Sequence, residues 1–417
     1  MKQGPCNNGF YPMTLNANTD WIAAGEAELV ETVALRRAIH ADPEVGLDCH
    51  RTTAKIRAAL AGLPLEWREG PSTSGAVALL RGGGDTHNQR TVLLRGDMDA
   101  LPMTEETGLP FASRNTGAMH ACGHDAHTAM LVGAARALCG RRDQLPGTVV
   151  FMFQPGEEGH HGARHMIADG LLADPAPDAA FALHISPNMP AGTVVTRAGP
   201  LLASTDTVRT TVRGRGGHAA MPHEAVDPIP VACALVLALQ VAIAREVPVS
   251  DPAVLTITQI HAGSSHNIIP GEVELMGTLR TLSPAVRDQV RATFRRVAES
   301  IAAAHGATVE TSVEDGYPVT LNDPRAVALM REVATGLGGE GAFRTMLAPM
   351  MGGEDFSYVL QQTPGAMAFL GVAPNGSDPA TNPPLHNTRM TIEEAVMARG
   401  VAMHCAMATR FLDEGWG

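Results

Sequence analysis

The apolar positions of this 417-residue chain change period along its length. Over 26–40 they recur three and four residues apart and predict a helix. Residues 76–80 and 91–95 are short apolar runs that read as strands, joined by the turn Gly82-Gly83-Gly84-Asp85. An alanine-rich helix is predicted over 125–139, stopped by Gly140. The β-branched run 148–153 reads as a buried strand that ends where Pro155 and Gly156 break the ladder, and 178–184 reads as another. Strands and helices alternating in this way predict an α/β fold, a mixed or parallel sheet covered by helices, with chemistry at the carboxyl ends of the strands.

The texture changes near residue 200. Residues 205–213 alternate as a half-exposed strand, 228–245 form a long apolar helix, 253–260 and 272–281 read as strands, and 284–305 as a second helix. Strand-helix-strand-strand-helix-strand predicts a self-contained α+β sandwich of the ferredoxin-like kind. The expected organisation is therefore a catalytic domain in two parts, 1–200 and 317–417, with 201–316 inserted between them. The longest apolar run, 229–244, is interrupted by Pro230 and Gln240, too short to span a bilayer, and predicts a buried helix. Within it Val231, Ala234, Leu235, Leu237, Ala238, Val241 and Ala242 fall on more than one stripe, a wider apolar surface than one small sheet covers.

A hydrophobic content of 45% over this length allows large cores and favours two domains. The net charge of -12, with no basic run or tail, argues against a nucleic-acid or anionic-membrane partner; an anionic substrate would need local arginine. The six cysteines, at 6, 49, 122, 139, 233 and 405, form no paired spacing. With a polar N-terminus lacking signal-peptide character, they predict a reducing, cytoplasmic setting.

The segment 119–127, Met-His-Ala-Cys-Gly-His-Asp-Ala-His, packs a thiol, three imidazoles and a carboxylate into one stretch. Cys122 and His124, two residues apart, can turn both donors to one point, as zinc and related transition metals require. Glu157 and Glu158 follow the 148–153 strand on a turn, where successive side chains diverge, so one can ligate while its neighbour handles a proton. Two lookalikes fail. Gly214-Arg215-Gly216-Gly217-His218-Ala219 fits a loose dinucleotide pattern, but Pro222 follows and no helix opens there. The zinc deaminase signature is absent.

These residues resemble the dinuclear-metal aminoacylase and carboxypeptidase superfamily, in its hippurate hydrolase and auxin-conjugate amidohydrolase branch. The resemblance covers almost the whole chain. It rests on the segment 95–102 from Arg95 to Pro102, on 119–127, on 154–159 with Gly162-Ala163 and Met166-Ile167, on Leu183-His184, the loop 214–223, Asn267-Ile268-Ile269-Pro270, the segment 277–281, Gly352-Gly353-Glu354-Asp355-Phe356, and Leu385-His386-Asn387. It implies a mixed-sheet metallohydrolase whose inserted domain serves as lid and dimerisation surface. It implies Cys122, His124, Glu158, His184 and His386 as ligands of two divalent metals, Glu157 as general acid and base, and Asp99 as a carboxylate that orients a ligand. His218, Asn267 and Arg280 match positions that contact substrate, with His218 reaching the partner subunit's site of a homodimer. His160 and His161 depart from the pattern, standing where glycine is expected.

The expected activity is hydrolysis of N-acyl amino acids, with a hippurate-like N-aroyl glycine as type substrate and Arg280 binding the α-carboxylate. A dipeptidase or carboxypeptidase using the same site is one alternative; a metal-binding protein without hydrolytic activity is another, against which the intact Glu157 beside Glu158 speaks. A Cys/His/Glu ligand set suits zinc and also cobalt, nickel or manganese.

Overall fold

The computed structural model describes residues 16–84 and 89–417, so Cys6, the polar N-terminus before residue 16, and Asp85 of the predicted turn lie outside the described residues. A mixed eight-stranded sheet forms the larger body, in the order Glu66–Glu69, Ala76–Arg81, Thr148–Gln154, Thr91–Asp97, Ala179–Ser186, Gly365–Gly371, Val194–Thr196, Phe343–Thr345. The four strands from Thr148–Gln154 to Gly365–Gly371 run parallel to one another. They are buried almost throughout because both faces are covered, which explains their unbroken apolar runs. Alternate residues serve the two sides. Val92, Leu94, Phe151, Phe181 and Leu183 pack with the helices Asn16–His40, His124–Cys139, Pro324–Gly338 and Met397–Glu414. Leu93, Val150, Met152 and Ala182 pack on the opposite face with Ala163, Met166, Phe356 and Val359.

Ala76–Arg81 and Thr91–Asp97 do not pair across their turn; Thr148–Gln154 lies between them, antiparallel to the first and parallel to the second. Turn residues constrain only the local chain, whereas a strand buried on both faces finds partners at both edges, and those are chosen by the core.

The chain leaves this sheet after Val194–Thr196, builds a second sheet, and returns at Phe343–Thr345. The second sheet is antiparallel, in the order Ala253–Ala262, Glu272–Thr281, Asp206–Arg213, Thr308–Asp315. Its core joins Val208, Val212, Leu255, Leu275 and Leu279 to Val231, Leu235 and Leu239 of one helix and Val290 and Phe294 of the other. Both helices are capped as their sequences suggest. Asp227 accepts from the Ile229 N–H and Ser283 from the Val286 N–H, each with proline in the first turn. Pro228–Glu246 is long and apolar enough by composition to cross a membrane. It is not the wholly buried helix expected: one stripe packs on the sheet, while Leu237 and Val241 are 69% and 63% exposed. A four-stranded sheet covers one face of a helix, and this helix is apolar around more than one.

A buried ion cluster ties the first helix to the one that follows the Cys122 loop. Asp125 Oδ2 accepts from Arg36 Nε at 3.0 Å and from His40 Nδ1 at 2.7 Å, and His40 Nε2 lies 3.2 Å from Glu105 Oε1. Burial opposes charge on His40, but Asp125 and Glu105 outweigh it and raise the imidazole to about 9. Since the folded value exceeds the unfolded 6.5, this stabilisation is complete below pH 6.5 and lost as pH rises through 9. Breaking such a pair costs about 3 kcal/mol. His40→Gln is expected to lower the melting temperature clearly at pH 6, with the gap from wild type closing by pH 9.5; scanning calorimetry at both pH values checks it, and a gap independent of pH would show that His40 is neutral in the fold.

Candidate active site

The site forms at the carboxyl ends of the parallel strands, where Asp97, Gln154 and His184 lie. Gly123 has φ 87, and a Cβ there would come within 2.5 Å of Ile185, so glycine is what lets the chain turn between Cys122 and the helix that opens at His124. Gly156, with φ 71, makes the corresponding turn after Thr148–Gln154; a Cβ there would lie 2.5 Å from Leu47. The loop carrying His386 is fastened to the first turn, its N–H donating to the Ala121 carbonyl at 2.9 Å.

These turns bring the five expected ligands together. The donor atoms of Cys122, His124 and His184 lie within 4.8 Å of one another, and so do those of Cys122, Glu158 and His386. Cys122 belongs to both groups. Its Sγ is 3.4 Å from His184 Nε2, and Glu158 Oε1 is 3.2 Å from His386 Nε2 and 4.0 Å from His124 Nε2. His184 Nδ1–H donates to the Ile185 carbonyl at 2.7 Å, which leaves Nε2 unprotonated towards Cys122. Both nitrogens of His124 and Oε1 of Glu158 are buried without a hydrogen-bond partner among the described residues. Orphaned donors of mixed sulfur, nitrogen and oxygen type, in two groups sharing a thiol, fit two divalent cations. Burial first, then the charges of Glu158 and Asp97, push the Cys122 thiol up to about 12, so a cation beside it is what would hold the thiolate.

Around this set lies a shell that sequence reasoning only partly foresaw. Asp99 accepts the backbone N–H of Glu157 at 2.9 Å and of Glu158 at 3.1 Å, and stands 3.5 Å from His124 Nδ1. Asp97 accepts from His127 Nδ1 at 2.6 Å, while His127 Nε2 accepts the Ile185 N–H at 2.8 Å; the third imidazole of the 119–127 segment thus braces the strand carrying His184. Arg95, 1% exposed, donates to Gln154, Asp97, Glu354 and Asp355. The signal was present in the sequence: a charge inside an otherwise apolar strand is rarely left unpaired. Tyr317, foreseen only as the point of chain return, accepts the Gly159 N–H at 2.7 Å and donates to the Glu157 carbonyl. Burial, then the nearby charges of Glu354, Glu158 and Asp355, push the Glu157 carboxyl well above the usual carboxylate range.

A cleft of about 630 Å³ opens over Cys122, Glu157, Glu158, His184 and His386, with Arg280 on its wall. Arg280 is half-buried and makes no hydrogen bond or ion pair among the described residues. His218 and Asn267 do not line this cleft. Both are exposed, on and beside the ribbon formed by Gly217–His218 and Ile268–Ile269; His218 Nδ1 accepts the Ala220 N–H, and Asn267 Oδ1 accepts from the Ser265 hydroxyl.

Residues 93–410 match peptidase family M20/M25/M40. The chain belongs to that family. It is 36% identical over 383 residues to thermostable carboxypeptidase 1 of Saccharolobus solfataricus, covering 91% of this chain and 95% of that one. It is 37% identical over 388 residues to the N-acetyl-L-cysteine deacetylase of Bacillus subtilis, covering 92% and 88%. The crystal structure of a Bacillus subtilis dinuclear metal binding peptidase of the M20 family superposes with TM-score 0.80 at 34% identity, over 93% of this chain and 99% of that one. The M20 chain described here is accordingly a metal-dependent hydrolase of amide bonds, with donors for two divalent cations.

Because Tyr317 holds the backbone on both sides of Glu158, its hydroxyl should matter to geometry more than to ion content. Tyr317→Phe leaves a buried carbonyl and N–H unpaired and is expected to cost about 1–3 kcal/mol in stability. Metal content should stay at the wild-type level while kcat falls; unchanged kcat and melting temperature would show that the turn holds without it.

Proposed function

We propose that this M20 protein hydrolyses the amide bond of N-acyl amino acids, N-aroyl glycines of the hippurate type among them, releasing a carboxylic acid and a free amino acid. The observation that carries the reading is Arg280, an unpaired guanidinium half-buried in the cleft that holds the ligand cluster. A carboxylate one carbon from the scissile nitrogen is the partner it lacks. Both relatives support this, since an N-acetyl amino acid and a peptide C-terminus each place a free carboxylate beside an amide. The carboxypeptidase relative keeps peptide cleavage as a second reading.

In the proposed mechanism Cys122, His124, Glu158, His184 and His386 hold two divalent cations, of which zinc, manganese, cobalt or nickel suits the donors. When bound, they supply Lewis acidity, lowering the pKa of water and polarising a carbonyl. Glu157, as the carboxylate, takes a proton from the attacking water and returns it to the leaving nitrogen, and its raised proton affinity suits it to hold that proton in between. Asp99 keeps Glu157 and Glu158 in different directions by holding both their N–H groups. Arg280 fixes the amino-acid half.

We further propose a cytoplasmic homodimer in which 201–316 is lid and dimerisation domain between catalytic parts 1–200 and 317–417. The exposed apolar positions support this: Leu237 and Val241 on the helix, and Val254 and Ile260, 41% and 53% exposed, on the edge strand beside it. His218 and Asn267, outside their own cleft, are free to reach the partner's, where His218 would stabilise the developing oxyanion.

Two experiments test these readings. Arg280→Ala should raise KM for N-benzoyl amino acids by about tenfold or more, since a charge-assisted hydrogen bond is worth about 1.5–3 kcal/mol. It should change little for the corresponding N-benzoyl amino acid amides, and chelation should abolish turnover of both. An equal effect on acids and amides would make Arg280 structural. Separately, inactive His218→Ala and inactive Glu157→Gln subunits, mixed and refolded together, should regain part of the activity as heterodimers; verified heterodimers without activity would confine His218 to its own chain.

A further inference from the structure

Two residues other than glycine have a left-handed backbone among the described residues, His161 with φ 57 and His386 with φ 64. Both line the cleft. In that region an L residue's Cβ crowds the neighbouring carbonyl, and such strain persists where the surroundings demand it, most often at functional sites. His386 has its reason in the donor cluster. His161 has no donor atom in that cluster, and glycine would take the same turn without strain. Its ring instead meets the edge of Tyr317, with centroids 5.0 Å apart, and its Nδ1 lies 3.0 Å from the Tyr358 hydroxyl. Helix Gly162–Ala168 starts directly after it, and the two tyrosines hold the ring.

Gly353 marks where Tyr317 and Arg280 approach each other. A Cβ at Gly353 would lie 3.4 Å from Tyr317 Cδ2 and 3.6 Å from Arg280 Nη1, so Tyr317 and Arg280 flank one spot. The imidazole of His161 packs on Tyr317, and His161, Tyr317 and Arg280 line the same cleft. Under the function proposed above, on which this step rests, the amino-acid half of the substrate lies there.

We infer that His161 sets the specificity for the released amino acid: its imidazole occupies space that a large side chain would enter, so N-acyl derivatives of glycine and alanine are taken in preference to those of phenylalanine. The strained backbone is what aims the ring into this space. Burial, with Arg164, His165 and His160 nearby, pushes the imidazole down to about 4, so at neutral pH it fills volume without adding a second charge beside Arg280.

The test compares metal-loaded wild type, His161→Gly and His161→Ala on N-benzoylglycine and N-benzoylphenylalanine, with melting temperatures recorded in parallel. Both variants should raise the ratio of kcat/KM for the phenylalanine over the glycine substrate about tenfold or more, the usual effect of opening space in a pocket. His161→Gly should melt about 2 °C above His161→Ala, because only glycine removes the left-handed strain. His161→Asn, smaller than histidine and tolerant of this backbone, replaces the glycine variant if that one does not fold. An unchanged ratio, in an enzyme that cleaves both substrates, overturns the inference and leaves the proposed function standing. A wild type that cleaves no N-acyl amino acid overturns both. Equal melting temperatures for the glycine and alanine variants would overturn the part assigned to strain.

Discussion

Neighbouring carboxylates on one chain can take different roles only if the backbone between them cannot rotate. Here that constraint is Asp99, whose two oxygens accept the N–H groups of Glu157 and Glu158. Tyr317 closes the same turn from the other side, through the Glu157 carbonyl and the Gly159 N–H. Gly156 supplies the conformation that admits the turn against Leu47. With these in place, Glu158 points to His386 and His124, while Glu157 points to a buried pocket of acids. If this turn slackened, the proposed ligand Glu158 and the proposed base Glu157 would lose their separate directions.

The second constraint is electrostatic. Asp97, Glu354, Asp355 and Glu157 are packed into one buried region, and among the described residues hydrogen-bonded to them there only Arg95 carries a permanent positive charge. Its planar fork allows it to serve several acceptors at once, which a lysine could not reproduce. The surplus of negative charge keeps protons on the least compensated carboxyls and draws cations to the adjacent donor set. A site built this way is costly without its ions, consistent with the orphaned nitrogens of His124 and the orphaned oxygen of Glu158.

The two sheets meet different requirements. The eight-stranded sheet is covered on both faces, so its strands end abruptly in polar turns and its rigid ends can position side chains. The four-stranded sheet carries Arg280 into the cleft on one strand, yet leaves an apolar helix face and an edge strand exposed on the other side. Apolar surface of that kind calls for a cover, and this underlies the proposed dimer.

Much of this was legible in the sequence. Cys122 and His124 are close in the chain, so their shared aim follows from local geometry, and Glu157 and Glu158 declared themselves by following an apolar strand at a glycine turn. The strand-helix pattern of the inserted segment was equally local, since period two and period three to four arise from backbone geometry. The motifs of the M20 resemblance also named His184, His386 and Arg280, which no spacing rule would have joined. What only the tertiary structure decided is convergence and compensation. His127 braces the strand that carries His184, since Asp97 and the Ile185 N–H meet both its nitrogens. Thr148–Gln154 separated two strands that adjoin in sequence, and His218 and Asn267 were left outside the cleft of their own chain. The physical reason is common to these cases: a sequence encodes which groups must be buried or paired, but partners tens to hundreds of residues away are selected by the core that brings them together.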